Sequence, residues 1–495
     1  MSTMESTKVR TSDSTKLSRR LALRQLFALA AVHGSASLLA GCGGGGDESA
    51  PPAPAPVPPP PVLPTTPALE RLKSALARAP LAVSSGTPLA VTQGMANSAA
   101  SAFGSGARVY PALGSTDQSL ATIPQVWGRR RELWTRLGGA VIEGNVVHPM
   151  QRGHRAATMN SVGVCGLHFE FDGAAFEILF AGSDPTITLV ADGHYMTPTL
   201  IRTTLQGGMA GAALSAPNTF VQFDFGARQR RQISVYTWSS QGPCAIATGP
   251  GDTLVAWDRS AEASFAAMAD SYGGARGLQW RGGPFWEAAA LLGIAHVDLD
   301  AIGSTGYAPN AANGDTLNPG NAFAARLPSS VDAQPDLFLT AGGINDNNSI
   351  AAAPYPSAAA ARAGFSTAVN QYYTQLRAAL PESVLVATGP WAPRQSTPTD
   401  PVALSKADAI KAALQAAGGL WVFLDNLQGG WVNSAGASAV ASGPWQTGTG
   451  TSAARAGDGN GDLYLSADGV HPNVDGCLYL GARIATDLRA ALLTL

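Results

Sequence analysis

From Glu262 to the C-terminus, short apolar runs alternate with segments of helical period. That alternation constrains the fold more than any other feature of the chain. "SFAAMA", "IAHVDLDAI", "PDLFLTA", "SVLVATG" and "LWVFLD" are nearly continuous apolar strands. Helical spacing falls between and after them: 284–293, about 356–380, about 404–417, and a closing helix over 476–495. Strands apolar on both sides belong to a parallel sheet whose two faces are covered by helices. The expected domain is therefore α/β with a five-stranded parallel sheet over 262–495. Ligands of such sheets bind beyond the carboxyl ends of the strands.

The residues at those ends are small and polar. Strand one runs into Asp270-Ser271-Tyr272-Gly273, strand two into Ile302-Gly303-Ser304-Thr305-Gly306, and strand three into Gly342-Gly343-Ile344-Asn345-Asp346. The long Gly- and Ser-rich stretch after strand five delivers Asp468 and His471. This set suits acyl transfer. A serine hydroxyl becomes a nucleophile when an imidazole takes its proton, and a carboxylate holds that imidazole's tautomer. Negative charge developing on a substrate oxygen needs donors already in place. Ser271 is the candidate nucleophile, His471 its base and Asp468 the partner of the base. Backbone N–H groups at Ser271 and Gly303 and the Asn345 amide are candidate oxyanion donors. Only His296 and His471 lie in this part of the chain, and His296 sits within an apolar strand, where a structural role is expected.

"ADS" at 269–271, "IGSTG" at 302–306, "GIND" at 343–346 and "DGVH" at 468–471 resemble, in order and spacing, the four motif blocks of the SGNH, or GDSL-like, hydrolase family. The resemblance covers roughly 262–495. It implies a three-layer α/β/α fold and hydrolysis of esters without a metal or other cofactor. Carried onto this chain, it implies Ser271 as nucleophile, Gly303 and Asn345 as completing the oxyanion hole, and Asp468 and His471 as the relay. Two departures stand out. The family's usual Gly before Asp-Ser is Ala269 here, and Gly306 competes with Gly303 for the second block. No G-x-S-x-G elbow occurs, which argues against the other large serine-esterase fold.

Between about 108 and 258 the period changes to two. "LHFEFDGAAFEILFAG", "TITLVADGHYM", "TFVQFDFGA" and "RQISVYTWS" alternate apolar with polar residues, as in a β-sandwich. Glu170, Asp172 and Glu177 are expected to face solvent opposite Phe169, Phe171 and Phe176. His148, His154, His168 and His194 are expected at the surface or in turns. The segment resembles the jelly-roll of some carbohydrate esterases, in architecture only. Residues 42–107 are rich in Gly, Pro and Ala and are expected to be a linker, although "ALERLKSALARA" (68–79) has helical spacing.

The first 41 residues carry six basic residues, Lys8 to Arg24, against Glu5 and Asp13, before an apolar run ending at Cys42. That run is short and diluted by Gly and Ser, as in an export signal. "LLAGC" (38–42) resembles the lipobox of bacterial lipoproteins, which implies Cys42 as the lipid attachment site and the outer membrane of a Gram-negative cell, on its periplasmic side or at the cell surface, as the address; the alternative is a plain secretory signal cleaved nearby and a secreted protein. "SRRLAL" (18–23) resembles a twin-arginine export motif. Net charge is −2 and no basic stripe occurs, so nucleic acid is an unsuitable partner. Cys165 and Cys244 share the β segment and are able to pair there, while Cys477 is expected as a buried free thiol. "GDGNGD" (457–462) places Asp458, Asn460 and Asp462 at calcium-loop spacing but lacks the Gly and Glu of such a loop, so a polar turn is expected. Trp391, just past a strand end, is a candidate face for a sugar or acyl group.

The expected function is hydrolysis of acyl esters, acetyl foremost, on a surface polysaccharide. The alternatives are another acyl-ester hydrolase, such as a lipase, and a non-catalytic carbohydrate-binding lipoprotein.

Overall fold

The computed structural model describes residues 65–78, 80–81, 89–93, 101–111, 134–135, 141–143, 146–148, 161–163, 165–180, 186–196, 201–202, 219–237, 243–255, 257, 261–273, 283–308, 322–331, 334–346, 357–391, 401–432, 464–466 and 470–495. The expected export signal, Cys42, Asp468 and the 457–462 turn lie outside these residues.

Helix α1 (Pro67–Leu76) opens the described chain, with Pro at its first turn and the Thr66 hydroxyl accepting from the Leu69 amide. Strand β1 (Ser161–Gly163) is followed by β2 (Cys165–Phe180), β3 (Thr186–Ala191), β4 (Thr219–Thr237) and β5 (Pro243–Thr248). Strands β2 and β4 pair antiparallel along nearly their whole length, with the register broken between Asp224 and Gln229. Phe169 and Phe176 lie on the same strand, seven residues apart, which would separate them by roughly 23 Å if β2 were straight. Their ring centroids are 5.4 Å apart. The strand therefore folds back on itself near Gly173, where a Cβ would lie 2.3 Å from the Phe171 ring. Two layers thus come from one continuous sheet, and Phe169, Phe171, Phe176, Phe223 and Ile233 fill the space between them.

The α/β region follows with β6 (Ser264–Ala269), α2 (Pro284–Leu291), β7 (His296–Ile302), α3 (Phe323–Ser330), β8 (Leu337–Ala341), α4 (Ala358–Ala379), β9 (Val384–Thr388), α5 (Pro401–Ala417), β10 (Trp421–Leu424) and α6 (Val474–Thr494). The five strands β6 to β10 are parallel, in the order β10-β9-β8-β6-β7. A sixth strand, β1, closes the β7 edge antiparallel. It comes from far upstream and removes an exposed edge.

Alternation along β6 shows the layers. Phe265, Ala267 and Ala269 face the core built with α1, α2 and α6, while Ala266 and Met268 face the core built with α3, α4 and α5. The expected three layers are present. Helix α3 was not legible as a helix because Pro328 lies inside it. The expected linker over 42–107 needs correction at α1: Leu69, Leu72, Ala75 and Leu76 are buried in the α/β core. Arg71 bonds Asp336 and Arg78 bonds Glu262, each just before a strand of the parallel sheet.

Residues Val62 to Leu495 form one compact unit. The β layers pack on the α/β region through Tyr236, whose ring lies 4.4 Å from Trp286, and Trp286 Nε1 donates to Tyr195 Oη at 2.9 Å. His168 belongs to this contact, stacked 4.5 Å from His296 and bonded to Ser234 Oγ at 2.7 Å. The expectation of a surface His168 is thereby overturned: its face of β2 is covered by the neighbouring layer. His296 is buried in its strand, in keeping with a structural role. Glu177 is also buried, with the Ala102 amide donating to it at 2.9 Å, whereas Glu170 and Asp172 pair with Arg230 and Arg228 near the surface. Cys477 is buried and free, and burial pushes its thiol pKa up, so it is an inert core residue.

Candidate active site

Strand β6 has β7 on one side and β8 on the other, so the chain order reverses at β6. The crevice of such a sheet opens at the carboxyl end of that strand. Ser271 stands there, two residues beyond Ala269. Asp270 shapes its turn: the Tyr272 amide donates to Asp270 Oδ1 at 2.9 Å, and the Gly273 amide to the Asp270 carbonyl at 3.1 Å. A Cβ on Gly273 would meet Ala269 Cβ at 2.7 Å, so the turn closes tightly onto the strand. Ala269 itself lies in regular parallel pairing with Ala301 and Ala341, and its backbone is not left-handed. The small side chain at this position is therefore accommodated without strain.

His471 arrives from the other end of the chain. Its Nε2 lies 2.8 Å from Ser271 Oγ, within hydrogen-bond reach. The loop carrying it is stitched across its base, with the Ser466 amide donating to the His471 carbonyl at 2.7 Å and the Asn473 amide to the Tyr464 carbonyl at 2.9 Å. Asn473 then caps α6 by accepting from the Gly476 amide at 2.8 Å. Tyr272 joins the two halves of the site, since its hydroxyl donates to the Val470 carbonyl. Its ring stacks on Trp391 at 4.6 Å, nearly parallel. Trp391 is buried in that stack, so it supports the serine and histidine loops from behind. That burial counts against Trp391 as a face for a sugar or acyl group.

The second and third loops complete the rim. Gly303 follows the last residue of β7, and Ser304 adopts a left-handed backbone with φ 65°. A serine held in that region marks a loop whose shape is imposed by its surroundings. Thr305 Oγ1 donates to the Ile302 carbonyl at 2.8 Å, and Asn345 Nδ2 donates to the Thr305 carbonyl at 2.9 Å. Gly306 backs onto Asp346, where a Cβ would sit 2.2 Å from Oδ2. That close approach gives Gly306 a packing role. Asp346 accepts from the Tyr307 and Ala308 amides at 3.3 and 2.8 Å. Burial pushes its pKa up, opposed by the nearby Lys406 ammonium and the two amides. Lys406 is itself buried and donates to the Gly343 carbonyl at 2.8 Å, next to Asn345.

Beneath the rim, Arg326 of α3 pairs with Asp300 and donates to the Ala269 carbonyl and Thr305 Oγ1, each at 3.2 Å. One guanidinium thus ties the serine strand to the Gly303 loop. The structure brings Ser271 and His471 together and sets Gly303 and Asn345 on adjacent loops of the same rim; Asp468 lies outside the described residues. Tyr272, Arg326 and Asp346 escaped the sequence reading. Asp346 belongs to a recognised block, but Arg326 sits on a helix that carried no clear signal. Among the described residues no cluster of His, Cys, Asp and Glu is arranged to hold a metal ion.

No protein-family model matches the chain, and no curated protein matches its sequence. Solved structures similar to it include a salicylyl-acyltransferase from a tetracycline biosynthetic pathway, at 14% identity and TM-score 0.47, covering 73% of this chain and 96% of that one. A family 2 carbohydrate esterase with a carbohydrate-binding domain from Corynascus thermopiles (Myceliophthora fergusii) matches at 17% identity and TM-score 0.41, covering 67% and 94%. An acetyl xylan esterase from Butyrivibrio proteoclasticus matches at 11% identity and TM-score 0.43, covering 73% and 95%.

Proposed function

We propose that the chain is an exported serine esterase that removes acyl groups, acetyl foremost, from a polysaccharide by way of an acyl-enzyme on Ser271. The observation that carries this reading is the 2.8 Å contact between Ser271 Oγ and His471 Nε2 at the switch point of the sheet. In the proposed reaction His471 Nε2 accepts the Ser271 proton as Oγ attacks the ester carbonyl. The oxyanion is held by the Ser271 and Gly303 amides and by the Asn345 side chain. His471 then returns the proton to the leaving alcohol, and water repeats the sequence to release the acid. An imidazole that accepts at Nε2 carries its hydrogen on Nδ1, and we assign Asp468 as the acceptor for that hydrogen. No cofactor is required by these steps.

The lipobox-like "LLAGC" supports export and a lipid on Cys42, with the Pro-rich stretch as a spacer to the envelope. Such an address favours acylated surface polysaccharides as substrate. Thr66, where the spacer meets the body, donates to the Glu382 carbonyl just before β9. That is the amino end of the parallel sheet, opposite the Ser271 rim.

The test is hydrolysis of p-nitrophenyl acetate by the purified protein and its Ser271→Ala variant. The reading expects turnover by the first and a fall on the order of 10³-fold or more in the second. Equal activity in both would refute the assignment of the nucleophile. A panel of acetylated glycans against longer-chain esters then decides between polysaccharide and lipid substrates.

A further inference from the structure

Asp270, next to the nucleophile, is a fully buried carboxyl that the acyl-transfer steps do not use. Its Oδ1 accepts from the Tyr272 amide, while no hydrogen-bond partner among the described residues reaches Oδ2. The charged groups that act on it come from the loop after β8 and from α3. Arg326 on α3 is engaged by Asp300 of β7, and Asp346 after β8 lies in the field of Lys406 from α5. His471 reaches the same turn through Ser271 Oγ. The charges whose fields reach Asp270 are Asp346, which disfavours its ionised form, and Arg326, which favours it. Arg326 bonds Asp300, whereas no cation among the described residues bonds Asp270. A buried carboxyl with no cation in contact holds a proton more readily than one that is ion-paired.

We propose that Asp270 is a titrating positioning residue for the nucleophile: its ionised carboxylate grips the Tyr272 amide and sets the turn that presents Ser271, and protonation loosens that grip. The role rests on the esterase reading. An ionised acceptor bonds an amide more strongly than a neutral one. Tyr272 also carries the bond to Val470 and the stack on Trp391, so slack in its amide is passed to both sides of the site. Burial, reinforced by Asp346 and opposed by the Tyr272 amide and Arg326, pushes the Asp270 pKa up to about 7. The working form is therefore acquired within the neutral range.

The linkage sign is opposite to that of a salt-bridged acid. Between the unfolded carboxyl pKa near about 4 and the folded value, the native state holds a proton that the unfolded chain has released. Stability therefore falls as pH rises through that window, and the ionised form works at the expense of the fold.

The experiment compares wild type with Asp270→Asn, which keeps an acceptor for Tyr272 but cannot ionise. Profiles of kcat/KM against pH and melting temperatures at about pH 5 and about pH 8 are read for both. The wild-type acid limb is expected to contain an ionisation near pH 7 that is missing from the variant, and the wild-type melting temperature to fall relative to the variant from the lower pH to the higher. Identical acid limbs overturn the proposal, as does a constant difference in melting temperature. Asp270→Ser is the second variant if Asn does not fold, and a wild-type acid limb with no ionisation near pH 7 overturns the proposal without any variant. Inactivity of wild type would sink the esterase reading and the positioning role with it, while the melting curves would still report whether Asp270 titrates.

Discussion

Around Ser271 polar side chains hold backbone groups of neighbouring loops. Asp270 holds the Tyr272 amide, Asn345 the Thr305 carbonyl, Asp346 the Tyr307 and Ala308 amides, and Lys406 the Gly343 carbonyl. Loops have few apolar contacts of their own, so such bonds set their shape. Gly306 tests this. Its missing Cβ admits the Asp346 carboxylate, and Gly306→Ala forces that carboxylate away from two amides it holds. We expect kcat/KM for p-nitrophenyl acetate to fall by about 10²-fold through displacement of the neighbouring rim, with the fold retained by circular dichroism. Full activity in the variant would mean that the Asp346 anchor does not position the site. Ser271 and His471 were legible because their residue types stood at strand ends. Tyr272 and Arg326 were not, since their importance comes from partners distant in sequence: Val470 for one, Asp300 and Ala269 for the other.

At the scale of elements, the parallel strands were legible from apolar runs alone, because burial on both faces leaves no alternation to decode. Helix α3 was obscured by Pro328, and β1 is too short to carry a signal. Helix α1 had the right spacing, but its surroundings of Gly, Pro and Ala suggested a linker. Its apolar face is instead part of the α/β core, with Leu72 fully buried. Leu72→Ala should destabilise the protein by about 2–5 kcal/mol in denaturant unfolding. A change below about 0.5 kcal/mol, the range of ordinary surface substitutions, would mean that α1 does not pack there in solution. His168 and Glu177 were misread for a related reason. Alternation shows which side of a strand a residue takes, not whether another layer covers that side.

In the whole molecule, the α/β region is completed by parts from outside it. Strand β1 closes its sheet, α1 covers its amino edge, and the Tyr236, His168 and Tyr195 contacts cover α2 and β7. A chain begun at Glu262 would expose the β7 edge and an apolar face, and both favour association. We expect that truncated chain to aggregate or melt well below a chain begun at Thr65. Equal melting temperatures would show that the α/β region stands alone.

The proposed chemistry rests on Ser271 Oγ as a nucleophile activated by His471. Labelling with a fluorophosphonate, followed by peptide mass spectrometry, tests it most directly. One adduct is expected, on Ser271, abolished in Ser271→Ala and strongly slowed in His471→Ala. Ester hydrolysis accompanied by an adduct on another residue, or by an adduct rate indifferent to His471, would contradict it.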